Sequence, residues 1–322
     1  MGETTAVLDE AFDRLEGASF ELPNGFVNHG AMACEALDAL GLDDWIDTWA
    51  RHAVALGGVS VVPRPPARVT DLGPEGALGD YARLPEWIGW FRRQLEADGW
   101  ATVVHRWVPR LTPGLGVALF HCMIRTAHAV RAIEEADSPA RRAELARALG
   151  YWAARYRPGP VIAIPRAGGA PGEVPPGGLQ IAARAARAYL RRPDILHLHG
   201  VTGAMALELL TPHLSAGAAE RAVRQLTADH RALYGADRRD PASDPGLVLA
   251  SSEGSGRWSS ALVAHEAAAS GDPHQVKLVE ACVRGLAATG DQAFAAAASA
   301  VVGHDGGGDR GPRDRSRQPA AG

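Results

Sequence analysis

The stretch Leu115-Gly-Val-Ala-Leu-Phe-His-Cys-Met-Ile-Arg-Thr-Ala-His-Ala-Val-Arg-Ala-Ile-Glu-Glu135 decides the fold class. Its apolar residues recur three and four apart, as in Leu119, Met123, Ala127 and Val130, which places them on one face of an α-helix and not on one side of a strand. The same period runs through 30–40, 84–97, 139–156, 178–191, 194–210, 216–234, 259–270 and 273–287. Few segments alternate with period two, so the chain is read as all-α. Punctuation agrees: Asn28 and Asp194 are placed to cap helix starts, Pro139 follows Ser138, and Pro273 follows Asp272 as a first-turn proline.

Two regions break the period. Residues 59–79 are rich in Pro and Gly and read as a long surface crossing. Residues 158–178 hold six prolines and six glycines around the short apolar run Val161 to Ile164, and read as a loop able to cover an active site. From Gly303 onward the chain is Gly, Asp, Arg, Pro and Ser, too polar to pack. The organisation expected is therefore one helical domain over 1–302 and a disordered tail over 303–322.

Composition narrows the function. Of 322 residues 46% are hydrophobic, and no window approaches the roughly 18 consecutive apolar residues of a membrane span. The N-terminus opens into an acidic amphipathic stretch without the basic and apolar regions of a secretory signal, which points to the cytoplasm. A net charge of −4 with dispersed arginines offers no field for a phosphate backbone, so neither nucleic acid nor membrane is expected as a partner. Cys34, Cys122 and Cys282 each sit in an apolar or helical pattern and read as buried thiols. Gly168, Gly169 and Gly172 lack the GxxxxGK[ST] pattern and a βαβ context, which excludes a phosphate loop, and no GxSxG elbow is present.

The 33 basic residues contain a single lysine, Lys277, among arginines. Arginine cannot be deprotonated in a protein, whereas a buried lysine loses its proton readily and becomes a nucleophile or a site of modification. In Asp272-Pro-His-Gln-Val-Lys277, His274 and Lys277 stand three apart in the first turns of a helix and can reach one metal ion. In Leu196-His-Leu-His-Gly200, His197 and His199 point about 200° apart around a helix, so only one faces a shared site. The small residues after His199, including Gly200 and Gly203, favour His199 as the inward member.

His121 and His128 lie on one stripe but about 10 Å apart along the axis, too far for both to ligate one ion. Arg125, four residues after His121, shares its face and is a candidate for orienting an anionic or phenolate oxygen of a substrate, with an internal salt bridge as the competing role. His128 is a further candidate for the catalytic group. His29 begins a helix among small residues. His265 is a reserve ligand in an Ala-rich helix, and His52, His105, His213, His230 and His304 fall on polar faces, ends or the tail. Trp87, Trp90, Trp100 and Trp107 cluster in sequence, either as a helix core or as the lining of an aromatic pocket.

Taken in order, Asn28-His29-Gly30 with its Met-Ala-Cys-Glu-Ala-Leu continuation, His121-x-x-Ile-Arg-Thr-Ala-His-Ala-Val-Arg131, Tyr151-Trp152-Ala-Ala-Arg-Tyr156, Leu198-His199-Gly-Val-Thr202 and Asp272-x-His274-x-x-Lys277 resemble the questin oxidase-like family. The resemblance spans most of residues 20–290. It implies a mononuclear non-haem Fe(II) oxygenase using O2 to insert oxygen into, or cleave, a ring of an anthraquinone-like aromatic polyketide. It also implies iron held by four histidines and a lysine carbamylated by CO2. Carried onto the matching positions, these are His29, His121, His199, His274 and Lys277, with His265 as the alternative to His274 and His128 as the alternative to His121. A protonated lysine cannot ligate, but its carbamate supplies an anionic oxygen in place of Asp or Glu. Without a dinucleotide fingerprint, any NADPH would serve to reduce a quinone substrate beforehand, through this chain or a reductase partner. Two other classes use the same residues differently: a metal-dependent hydrolase or cyclase, and a helical polyketide-binding protein without catalysis.

Overall fold

A computed structural model describes residues 3–58, 74–159, 177–234 and 258–303, and within them the regular structure is helical. In chain order the α-helices are α1 (Glu3–Leu15), α2 (Gly30–Ala39), α3 (Asp43–Ala55), α4 (Leu84–Asp98), α5 (Trp100–Leu111), α6 (His121–Glu135) and α7 (Pro139–Arg155). They continue as α8 (Gly178–Arg191), α9 (Ile195–Leu210), α10 (Ala216–Tyr234), α11 (Ser260–Ser270), α12 (Pro273–Thr289) and α13 (Gln292–Gly303). Among the described residues the β-type pairing is one isolated antiparallel bridge, Glu21 with Val27. The chain is all-α, as its period-3.6 patterning requires. The loop expected over 158–178 and the polar tail lie outside the described residues apart from their edges, as does most of the 59–79 crossing. Gly303, read as the first tail residue, is the last residue of α13.

The caps explain several boundaries. Ser138 accepts from the Arg141 N–H to start α7, Asp194 from the His197 N–H to start α9, and Asp272 from the His274 N–H to start α12. Each such cap contributes about 1 kcal/mol by satisfying an amide that the helix leaves open. Pro139 and Pro273 then occupy positions that donate no helical hydrogen bond. Asn28 precedes the N-cap of α2, which is His29, and its Oδ1 accepts from the Gly30 N–H at 2.9 Å while its Nδ2 donates to the Ala53 carbonyl at 3.0 Å.

One expected helix is shorter than its pattern. The 115–135 stretch becomes helical only at His121, because Ala118, Leu119 and Phe120 hold positive φ of 50°, 53° and 66°. Non-glycine residues enter that region only where their surroundings hold them there. Here the fully buried Phe120 ring packs on α9 at Gly203, where an added Cβ would stand 2.9 Å from Phe120 Cγ.

The centre of the fold is a ring of four helices. α2 packs on α6, α6 on α9, α9 on α12, and α12 back on α2. Around this ring α3 covers α2, α7 covers α6, α8 lies along α9, and α13 along α12. The tryptophan cluster is core packing at the edge: Trp87, Trp90 and Phe91 of α4 meet Trp107 of α5 with ring centroids 5.0–5.7 Å apart. Trp100 instead packs edge-on against His213. None of the described helices is long and apolar enough to cross a membrane.

Candidate metal centre

Each helix of the central ring brings one histidine to the same place. His29 is the N-cap of α2, His121 the first residue of α6, His199 the fifth of α9 and His274 the second of α12. One ring nitrogen from each lies within 4.8 Å of the others. His29 Nε2 stands 2.7 Å from His121 Nε2, and His199 Nε2 stands 3.0 Å from the same atom. His274 joins them with its ring centroid 4.4 Å from that of His29 and 5.3 Å from that of His199. A metal–nitrogen bond of about 2.1 Å sets cis nitrogens about 3.0 Å apart and trans nitrogens about 4.2 Å apart, so the cluster has the dimensions of one coordination sphere.

Tautomers are fixed from outside the cluster. His121 Nδ1 donates to the Ala118 carbonyl at 2.5 Å, and the left-handed turn at 118–120 delivers that carbonyl. His199 Nδ1 donates to the Ile195 carbonyl at 2.7 Å, and His274 Nδ1 to Asp272 Oδ1 at 3.0 Å. With Nδ1 protonated, Nε2 of His121 and of His199 each present a lone pair, and these lone pairs face one another at 3.0 Å. A proton on His29 Nε2 can satisfy one of the contacts at His121 but not both. A cation among the four rings satisfies all of them.

Electrostatics favour a metal over protons in that role. Burial, reinforced by Lys277 and neighbouring histidines, holds His29 and His121 well below the usual imidazole pKa, and His199 is depressed by burial, then His121 and Lys277. Lys277 is 1% exposed, and its Nζ has no hydrogen-bond partner among the described residues. Burial lowers its pKa to about 7 against the opposing pull of Asp272. Asp272 itself would be raised by burial, but the two hydrogen bonds from His274 more than reverse this and keep it ionised. The four-histidine group contains no carboxylate. The Lys277 amine is thus buried close enough to His29, His121 and His199 to depress all three, with a pKa low enough for a neutral form to be accessible near pH 7.

The other sequence candidates are placed elsewhere. His128 lies with Glu35, to which its Nδ1 hydrogen-bonds, and not with the four histidines, so it does not replace His121. His265 is exposed and does not replace His274. His197 turns to Asp194 at 2.6 Å, on the other side of α9 from His199. Arg125 is committed to Glu144 through two hydrogen bonds of 2.6 and 2.8 Å, both side chains being buried, with its guanidinium 4.4 Å above the Phe20 ring. The internal salt bridge therefore prevails over the substrate-orienting role: on a helix buried all round, Arg125 projects toward α7 and not toward the centre. His230, expected on a polar face, is buried, and burial lowers its pKa to about 3. All three cysteines are buried free thiols, with pKa values pushed up by burial.

Sequence reading missed a second buried polar group. Arg131 of α6 donates Nε and Nη2 to Glu35 of α2 at 2.5 and 2.6 Å, and Nη1 to Glu280 of α12. Glu280 also receives Arg284, whose Nη1 reaches the Met205 carbonyl of α9 at 2.8 Å. The signal was present: charged residues at inward positions of otherwise apolar helices are retained only when paired.

A cavity of about 20 Å³, room for one water-sized molecule, touches His29 and is lined also by Leu22, Asn28, Trp49, Ala53 and Pro273. A larger one of about 320 Å³ between α5 and α10 contains none of the site residues. No protein-family model matches the chain, and no curated protein matches it either, so the family likeness rests on the quoted motifs alone.

Proposed function

We propose that this chain is a mononuclear metalloenzyme, a non-haem iron oxygenase acting on an aromatic polyketide related to the anthraquinones. The observation that carries the metal centre is the facing of imidazole lone pairs across 3.0 Å, with a buried lysine nearby that has no hydrogen-bond partner among the described residues. Iron, O2 and the polyketide come from the motif resemblance. Bound iron would supply the activation of O2.

The chain's own residues have separable tasks. His29, His121, His199 and His274 hold the ion, and burial keeps the first three neutral. Ala118, Ile195 and Asp272 fix three of those rings by accepting their Nδ1 protons. Lys277, in its neutral form, adds its Nζ lone pair to the carbon of CO2. One N–H proton passes to water, and the product carbamate offers an anionic oxygen. That carbamate lowers the formal charge of a divalent centre from +2 to +1, which reduces the cost of burying it. Where the reaction needs electrons beyond those of the substrate, NADPH would deliver them by reducing a quinone beforehand, through a reductase partner or this chain.

Elemental analysis of freshly purified protein, paired with O2 uptake in the presence of a hydroxyanthraquinone or its hydroquinone, tests the reading. Stoichiometric iron with substrate-dependent O2 consumption is expected. Full activity with zinc under anaerobic conditions would make the centre that of a hydrolase or cyclase. Protein without stoichiometric metal that still binds the polyketide, with affinity unchanged by His199→Ala, would identify a binding protein.

A further inference from the structure

We infer that Arg131, Glu35, Glu280 and Arg284 form a positioning layer that sets the spacing of the metal donors, so that they govern the coordination geometry and not the stability of the fold alone. The inference rests on the metal-centre reading above. Its basis is the order of residues along the four ring helices. In α2 the donor His29 precedes Glu35, and in α6 His121 precedes His128 and Arg131. In α9 His199 precedes Met205, and in α12 His274 and Lys277 precede Glu280 and Arg284. Every helix meets the centre at its N-terminal end and the ionic layer one to three turns later, so the four run in the same direction through both.

The layer ties those helices by the strongest polar contacts available to it. Arg131 bridges α6 to α2 through a two-point fork on Glu35 and reaches α12 through Glu280. His128 adds a second link from α6 to Glu35. Arg284 carries the chain of contacts from Glu280 to the Met205 carbonyl on α9. Forked guanidinium–carboxylate pairs fix both distance and orientation, and they do so here with both glutamates almost wholly buried, Glu35 at 3% and Glu280 at 4% side-chain exposure. A hydrophobic layer of equal volume would hold the helices together without specifying their axial register. Axial slip of one helix by a single residue, about 1.5 Å, would take its histidine out of bonding range.

The test uses the full chain loaded with Co(II), whose visible spectrum reports coordination number and geometry. Arg131→Lys keeps the charge and loses the fork. Arg284→Met removes the tie to α9 at a partly exposed position, so a folded variant is secured, and Arg284→Lys serves as the conservative rescue. Arg142→Met, which breaks an exposed pair with Asp137 outside the ring, is the control. We expect Arg131→Lys and Arg284→Met to shift the Co(II) bands and to weaken Co(II) binding roughly tenfold, with Arg284→Lys restoring part of both and Arg142→Met changing neither. Wild-type protein that binds Co(II), with spectra and affinities unaltered in Arg131→Lys and Arg284→Met, overturns this inference alone. Wild-type protein that takes up no Co(II) overturns the metal centre and the inference together.

Discussion

Gly203→Ala separates helix propensity from site architecture. Gly203 lies one turn beyond His199 on α9, so the face that presents the imidazole to the centre also presents Gly203 to α6. A methyl group there would stand 2.9, 3.1 and 3.2 Å from Cγ, Cδ2 and Cβ of Phe120. Phe120 cannot swing away freely, because it is fully buried and its backbone is held at φ 66°. Overpacking of this kind costs about 1–3 kcal/mol. Replacing a mid-helix glycine by alanine gains about 0.8–1.0 kcal/mol from propensity. The two together give a destabilisation of up to about 2 kcal/mol where propensity alone gives a gain of about 1 kcal/mol. Since Phe120 directly precedes His121, its displacement also moves the Ala118 carbonyl that fixes the His121 tautomer. Metal affinity should then fall roughly tenfold, which corresponds to about 1.4 kcal/mol. Urea unfolding of metal-free protein and a metal titration read the two effects separately. A variant that is more stable than wild type and binds metal equally well would refute the reasoning.

Three further outcomes are expected. Lys277→Arg places a guanidinium that cannot be deprotonated where the amine has a pKa of about 7, and should abolish metal binding and cost about 3–5 kcal/mol as an unpaired buried charge. Full metal occupancy of that variant, read by elemental analysis, would remove Lys277 from the centre. His199→Ala should lose metal while His197→Ala retains it, since His197 is turned to Asp194; equal loss from both would contradict the placement of α9. Stability of the metal-free protein should fall as pH drops below about 6.5, because unfolded imidazoles take up protons that His29, His121, His199 and His230 resist in the fold, at up to about 1.4 kcal/mol per pH unit for each group. Lys277 adds the same sign of slope between about pH 7 and its ordinary value of 10.5, where the unfolded chain binds the extra proton. Glu35, Glu280 and Asp272, with depressed pKa values, lose their contribution only at more acidic pH. A flat stability curve from pH 6.5 to 5, measured by urea unfolding, would show that the imidazoles are not buried neutral.

Periodicity exposed most of the helices of the central ring and those packed on it, and it failed in two ways. At 115–135 it ran through a break, because the left-handed residues Ala118 to Phe120 are as apolar as a helix face and only their backbone sets them apart. At α1, α3, α5 and α13 it passed over real helices. In α5 the interior Pro109 argues against a helix, yet Val103, Val104, Trp107, Val108 and Leu111 form a complete buried stripe. In α13 alanine dominates, so its buried and exposed faces hardly differ. For the site, local spacing identified the His274–Lys277 pair and preferred His199 over His197, both on one helix. Bringing His29 and His121 to that pair needed the motif resemblance, because residues 92 apart carry no spacing signal.

In the proposed centre the unmodified donors are all imidazoles, and the arrangement of the ring accounts for this. Four helices begin at the centre, and helix N-termini carry partial positive charge from unpaired N–H groups, which disfavours protonated histidine and favours an anion. A carboxylate in the cluster would be drawn into capping these same helix starts, as Asp194 and Asp272 are. Lys277 stands at the fifth position of α12, beyond the amides that need caps, and its buried amine, which acts electrostatically on His29, His121 and His199, has no hydrogen-bond partner among the described residues. Its carbamate would place negative charge where four positive helix ends meet without competing for any of their caps. An aspartate at the same position carries its oxygens on a much shorter stem, so Lys277→Asp should fold and fail to bind metal, whereas added short-chain carboxylate should rescue Lys277→Gly in a metal titration; metal binding by Lys277→Asp without added carboxylate would show that reach is not what selects lysine here.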